Sequence, residues 1–120
     1  MIAPIARDRS GGKLNVNADL AAGKVAAAVK AEKLVMVSDT HGVRTLADDP
    51  DSLAESLTEQ QLRDLADGGV ITAGMKPKVQ ACLDALDAGV SKAHIIDGRL
   101  EHSLLLEIYT DKGVGTEILK

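Results

Sequence analysis

Leu34-Val35-Met36-Val37 is an unbroken apolar run that ends at Ser38-Asp39-Thr40-His41-Gly42. A strand with one wet face alternates apolar and polar residues, whereas a continuous run needs cover on both faces, as a parallel strand between helical layers has. The neighbouring segments agree. Ile2 to Ile5 and Lys13 to Val16 read as short strands about the polar turn Asp8 to Gly12, and the alanines from Asp19 to about Lys30 favour a helix. Thr58 and Gln61 form a T-x-x-Q capping box, Leu57 and Leu62 are placed to staple across it, and Gly68-Gly69 stop that helix. Pro77 suits a first helical turn, and Val79, Cys82, Leu83 and Leu86 recur at i, i+3, i+4, i+7 as one buried stripe. Ala93 to Ile96 reads as a strand, His102 to Tyr109 as a helix, Thr116 to Leu119 as a last strand, and Arg44 to Ser56 as an exposed polar loop. Strands alternating with helices specify an α/β layered domain with a mostly parallel sheet.

At 120 residues the chain reads as one domain. A net charge of −4 argues against binding a phosphate backbone, and Tyr109 as sole aromatic offers no stacking platform, so nucleic acid is set aside. Cys82 alone cannot form an internal disulfide, no apolar run is long enough to span a bilayer, and the start lacks a basic, apolar leader. A cytoplasmic protein is expected, with Cys82 in a packing role.

Two helix entrances carry the chemistry. Asn15-Val16-Asn17-Ala18-Asp19 gathers two amides and a carboxylate where backbone N–H groups are unpaired and the helix dipole is positive. Asn17 or Asp19 as a simple N-cap is the bland alternative. Gly74-Met75-Lys76-Pro77-Lys78 opens another helix with lysines, which suits phosphoryl transfer because positioned cations offset charge on the transferring group; ordinary solvated lysine is the alternative. Gly69 to Lys76 approximates G-x-x-x-x-G-K-[ST], but Met75 stands at the lysine position and Pro77 follows Lys76, which excludes a P-loop. Asp39 to Gly42, just beyond a strand end, and Gly69 to Lys78 could together line a nucleotide pocket. The three histidines show no metal-ligand spacing. His41 reads as a turn residue and His94 as a hydrogen-bonded core histidine, with Glu107 and the glycine turn after it able to complete a polar pocket.

Taken in order, Asn15 to Asp19, Ser38 to Val43, Gly69 to Val79 and His94-Ile95-Ile96-Asp97-Gly98-Arg99 resemble the carboxyl-terminal part of acetylglutamate kinase, over essentially the whole chain. The resemblance implies the amino acid kinase fold, a three-layer αβα sandwich with a mostly parallel sheet, with residues 1–120 as its carboxyl-terminal, nucleotide-binding part and the fold therefore incomplete. It implies ATP-dependent phosphorylation of the side-chain carboxylate of N-acetyl-L-glutamate in arginine biosynthesis. By the same resemblance Lys78 stabilises the transition state, Asp19 orients the catalytic lysines, and Asn15 contacts N-acetylglutamate. Asp39, Thr40, His41, Gly42, Val43, Arg44, Val70, Ile71 and Thr72 would border ATP, with Mg2+ accompanying the phosphates. His94, Glu107 and Gly113 fall on the signature of members inhibited by L-arginine. His41 and Arg44 depart from what many relatives carry. The family's first lysine, glycine-rich loop and substrate-gripping arginine find no match, so these residues alone are expected to have little or no kinase activity. A separate amino-terminal half or a homo-oligomer is the implied partner. A noncatalytic module sensing arginine or nucleotide is the alternative reading.

Overall fold

The computed structural model describes residues 1–110 and 113–120. An antiparallel hairpin of β1 (Ile5–Arg7) and β2 (Lys13–Asn15) stands apart from a main sheet of four strands, in the spatial order β3 (Lys33–Ser38), β5 (Lys92–Asp97), β6 (Thr116–Leu119) and β4 (Ser56–Thr58). The Asp8 carboxylate closes the hairpin turn by accepting the Gly12 N–H and the Ser10 hydroxyl, both at 2.7 Å. The ladder starts at Ile5, later than the expected Ile2 to Ile5, since Pro4 has no N–H to give and Ile5 N–H bonds locally to Ala3.

In the main sheet β3 (Lys33–Ser38) runs parallel to β5 (Lys92–Asp97), β5 antiparallel to β6 (Thr116–Leu119), and β6 parallel to β4 (Ser56–Thr58). The sheet is mixed and mostly parallel. Strand β4 corrects the expectation of an exposed loop reaching Ser56: Ser56 pairs with Glu117, and within the supposed loop Arg44 bridges to Leu53 and Ala54 is buried. Three residues carry too little periodicity to announce a strand.

Along β5 the side chains alternate. Ala93 and Ile95 join the aliphatic core beneath α1 (Ala18–Ala28), α2 (Glu59–Asp67) and α3 (Lys76–Asp87), whereas His94 and Ile96 face α4 (Ser103–Tyr109). Helices therefore cover both faces of the layer. Both bonds of the Thr58/Gln61 capping box are made, at 2.8 and 3.2 Å, and Leu57 and Leu62 are buried. The expected stripe of Val79, Cys82, Leu83 and Leu86 is buried throughout. β3 is an outer strand, and Val37 on it is 57% exposed.

One glycine sets the spacing of α1 and α3. Gly23 lies inside a helix, where it is about 1 kcal/mol worse than alanine, yet a Cβ there would stand 2.8 Å from the Ala81 carbonyl. The two helices run in the same direction, with Asp19 beside Lys78, Gly23 against Ala81 and Lys24 bonded to Asp84. Their N-termini thus emerge together.

Candidate functional site

Asn17 is the N-cap of α1, its side-chain oxygen accepting the Leu20 N–H at 3.1 Å, which leaves Asp19 in the first turn free for other work. Asp19 receives the Lys78 ammonium on both oxygens, at 3.2 and 3.0 Å. The pair is partly shielded, with side chains 21% and 19% exposed, so its field is stronger than between fully hydrated ions. The reading of Lys78 as a solvated lysine is thereby corrected, whereas Lys76 is exposed. Asn15 ends β2 and is exposed, on the segment leading into α1. Beneath the pair lies Cys82, whose thiol is pushed up to about 12, chiefly by burial and then by the Asp19 charge.

A cleft of about 430 Å³ opens at the carboxyl ends of β3 and β5, a size usual for a small-molecule site. The six residues Asp39 to Arg44 and the three residues Val70 to Thr72 all line it, as do Leu53, Met75 and Arg99. Val43 and Ile71 supply buried apolar wall; Asp39, Thr40, Arg44 and Arg99 supply polar groups. The segment is tied down from outside, because Thr116 Oγ1 accepts the Val43 N–H at 2.8 Å and donates to the Ala54 carbonyl at 2.6 Å. Gly42, at φ +144, passes so close that a Cβ would lie 2.5 Å from Thr116 Oγ1. Met75 joins the cleft to the ion pair: it lines the cleft and is the residue before α3, whose first turn brings Lys78 around. Among the described residues no side chain caps that turn.

Asp97 and Arg99 were given no role on sequence, and Met75, which reads there as a gap filler in aliphatic packing, is buried in the core and also lines the cleft. Asp97 ends β5 and is held well below the usual carboxylate range, at about 2, first by the Arg99 side chain and then by the Arg99 backbone N–H. His41 is more than a turn residue, since its Nδ1 lies 2.8 Å from Asp97 Oδ2.

A second cavity of about 450 Å³ lies over the other face of β5, lined by His94, Glu107 and Gly113 together with Lys33, Lys92 and Glu117. His94 Nδ1 contacts Glu107, which also receives Lys33 at 3.3 Å and the Val114 N–H at 3.0 Å. Burial lowers the His94 pKa, as the two lysines and two glutamates around it offset one another. Its Nε2 lies 3.3 Å from Glu117 Oε1 but makes no hydrogen bond of good geometry among the described residues. Gly113, at φ +59, leaves room for the Glu107 carboxylate, which a Cβ would meet at 2.5 Å.

Among the described residues no three His, Cys, Asp or Glu side chains converge on a metal-sized point, and no helix is long and apolar enough to cross a membrane.

The sequence model described as "Amino acid kinase family" matches residues 1–97. Acetylglutamate kinases of Symbiobacterium thermophilum and Methanococcus maripaludis are 52% and 48% identical over 120 residues, covering all of this chain. The chain spans 41% of the length of each. Among solved structures, N-acetylglutamate synthase from Neisseria gonorrhoeae, complexed with coenzyme A and L-arginine, superposes with a TM-score of 0.87 at 32% identity, over 99% of this chain and 27% of that one. Carbamate kinase from Giardia lamblia, bound to AMP-PNP, superposes at 0.74 with 23% identity, over 97% of this chain and 37% of that one, a likeness of fold.

Proposed function

This chain belongs to the amino acid kinase family, and from that premise we propose that it is the nucleotide-binding part of an acetylglutamate kinase, serving ATP-dependent phosphorylation of the side-chain carboxylate of N-acetyl-L-glutamate. The observation that carries the reading is the Lys78–Asp19 pair, one helical turn from a cleft of nucleotide size. Relatives about half identical over the whole chain support the substrate.

ATP would supply the phosphoryl group, and Mg2+ would travel with its phosphates rather than in a cage of protein ligands, in keeping with how that ion is usually bound. The chain supplies position and charge. Asp39 to Arg44 with Val70 to Thr72 hold the nucleoside end, and Met75 leads the polyphosphate toward the entrance of α3. A carboxylate attacking a phosphate brings two anions together, a repulsion that a fixed, partly dehydrated ammonium offsets. Lys78 provides that ammonium, Asp19 keeps it aimed, and Asn15 contacts the acetylated acceptor. His94, Glu107 and Gly113 form the site for L-arginine as feedback ligand; the arginine complex of the gonococcal synthase supports this, as does the capacity of Glu107 for a charge-assisted bond to a guanidinium.

A coupled assay of ATP consumption with N-acetylglutamate tests the kinase reading, run on the chain alone and with a separately supplied amino-terminal half of the Symbiobacterium relative. Acetylglutamate-dependent turnover in either arm upholds it. ATP binding without turnover in both arms leaves a nucleotide-sensing module in its place.

A further inference from the structure

The end of β5 holds a buried carboxylate whose hydrogen bonds all lead to the cleft wall. Asp97 is 5% exposed. Its Oδ1 accepts the Arg99 backbone N–H and the Arg99 Nε–H, both at 2.9 Å, and its Oδ2 accepts from Arg99 Nη2 at 2.8 Å and faces His41 Nδ1 at the same distance. The backbone beneath is fixed: Asp97 pairs with Ser38 across the β3–β5 ladder, and the Gly98 N–H donates to the Ser38 carbonyl at 2.8 Å. Gly98 also sits against Val37 so closely that a Cβ would come within 2.4 Å of it.

His41 and Arg99 come from different strand ends and both line the cleft, with side chains 73% and 60% exposed. Free long side chains at such exposure would sample many rotamers, and each would lose that freedom on binding a ligand. Asp97 removes the freedom beforehand. It occupies one edge of the guanidinium and one nitrogen of the imidazole, leaving the Arg99 Nη1 and second Nη2 N–H groups as donors, and His41 Nε2 as an acceptor, for a ligand to use.

We propose that Asp97 is the positioning residue of the cleft, locking Arg99 and His41 as one preorganised wall against a bound nucleoside triphosphate. Resting on the nucleotide reading given above, it adds a residue that never touches the ligand. The charge balance follows from the geometry. Arg99 is matched by Asp97 as Lys78 is by Asp19, so the wall adds directed polar groups with little net charge, and Lys78 adds a positioned ammonium at the entrance of α3.

Calorimetric titration of ATP into the full chain provides the test, with histidine side-chain ¹⁵N spectra recorded in parallel at about pH 8, where imidazole is mostly neutral. Asp97→Asn is expected to weaken ATP binding about tenfold, the scale of a lost charge-assisted hydrogen bond, and Arg99→Ala to do the same. The double variant is expected to lose less than the sum of the two single losses, because Asp97 acts in part through Arg99. In the unmodified chain His41 carries its proton on Nδ1, and Asp97→Asn abolishes that preference, a readout that general loosening of the fold would not produce.

Unchanged ATP affinity in Asp97→Asn, additive losses in the double variant, or an unmoved His41 tautomer overturns the role of Asp97. Arg99→Ala alters an exposed side chain and keeps the test decisive if Asp97→Asn fails to fold: undiminished ATP affinity there overturns the wall. An unmodified chain that binds no ATP overturns the nucleotide reading instead.

Discussion

Lys78 Nζ lies 3.0 Å from Asp19 Oδ2, although 59 positions separate the two residues. Neither side chain is well hydrated, so removing one partner strands a shielded charge. Lys78→Met and Asp19→Asn are each expected to lower unfolding free energy by about 1 to 3 kcal/mol, and the double variant by less than their sum. Urea denaturation of the four proteins reads the coupling directly. In the proposed kinase, Lys78→Met should in addition reduce turnover roughly 10²- to 10³-fold with a much smaller effect on ATP affinity.

Gly42 combines φ +144 with a Cβ position 2.5 Å from Thr116 Oγ1. Gly42→Ala is therefore strained twice, in backbone and in space, and would break the link from Val43 through Thr116 to Ala54. A loss of more than about 1 kcal/mol is expected, with weakened ATP binding because that link holds the cleft segment. Thr116→Val, which removes the bonds without the clash, should weaken ATP binding as well; wild-type affinity in both variants would separate the cleft from its supposed support.

Asp97 has a folded-state pKa of about 2, below its ordinary 3.8. A depressed carboxylate stabilises the fold above its unfolded-state pKa and loses that contribution as pH falls toward the folded-state value. The stability advantage of the unmodified chain over Asp97→Asn should be constant above about pH 4 and shrink toward pH 2. Urea midpoints collected across that window check the sign; an advantage that grows as pH falls would contradict it.

The Cys82 thiol, fully buried and raised to about 12, stays protonated at neutral pH. Thiol reagents such as Ellman's reagent should leave the native chain unmodified for as long as it remains folded, and label one thiol per chain in denaturant. Rapid labelling under native conditions would mean that the interface of α1 and α3 opens far more often than its packing suggests.

Local rules made much of this legible in the sequence. The capping box of Thr58 and Gln61 and the buried stripe through Cys82 and Leu86 each depend on neighbours a few residues away; the apolar run Leu34 to Val37 does form a strand, but the cover on both faces that it implied fails at the sheet edge, where burial alternates and Val37 is 57% exposed. Non-local relations did not show. Strand β4 exists because β6 offers it a ladder, and Asp97 meets His41 only because the β3–β5 register sets Ser38 opposite Asp97. Lys33 and Glu107, separated by 74 positions, pair across the α4 face, a partnership that no spacing rule points to. The nine residues placed at the nucleotide edge do share one cleft, but the Arg99 that completes it lay in a motif quoted for resemblance and given no task.

The closeness of α1 and α3 has a consequence for where chemical competence resides. Gly23 carries no functional group, yet the missing methyl lets the Ala81 carbonyl approach and so dictates how far apart two ions stand one turn away. Gly23→Ala, helpful to the helix in isolation, would wedge the helices apart and stretch the Lys78–Asp19 contact. The position that calibrates the two charged groups is thus one that has no side chain of its own.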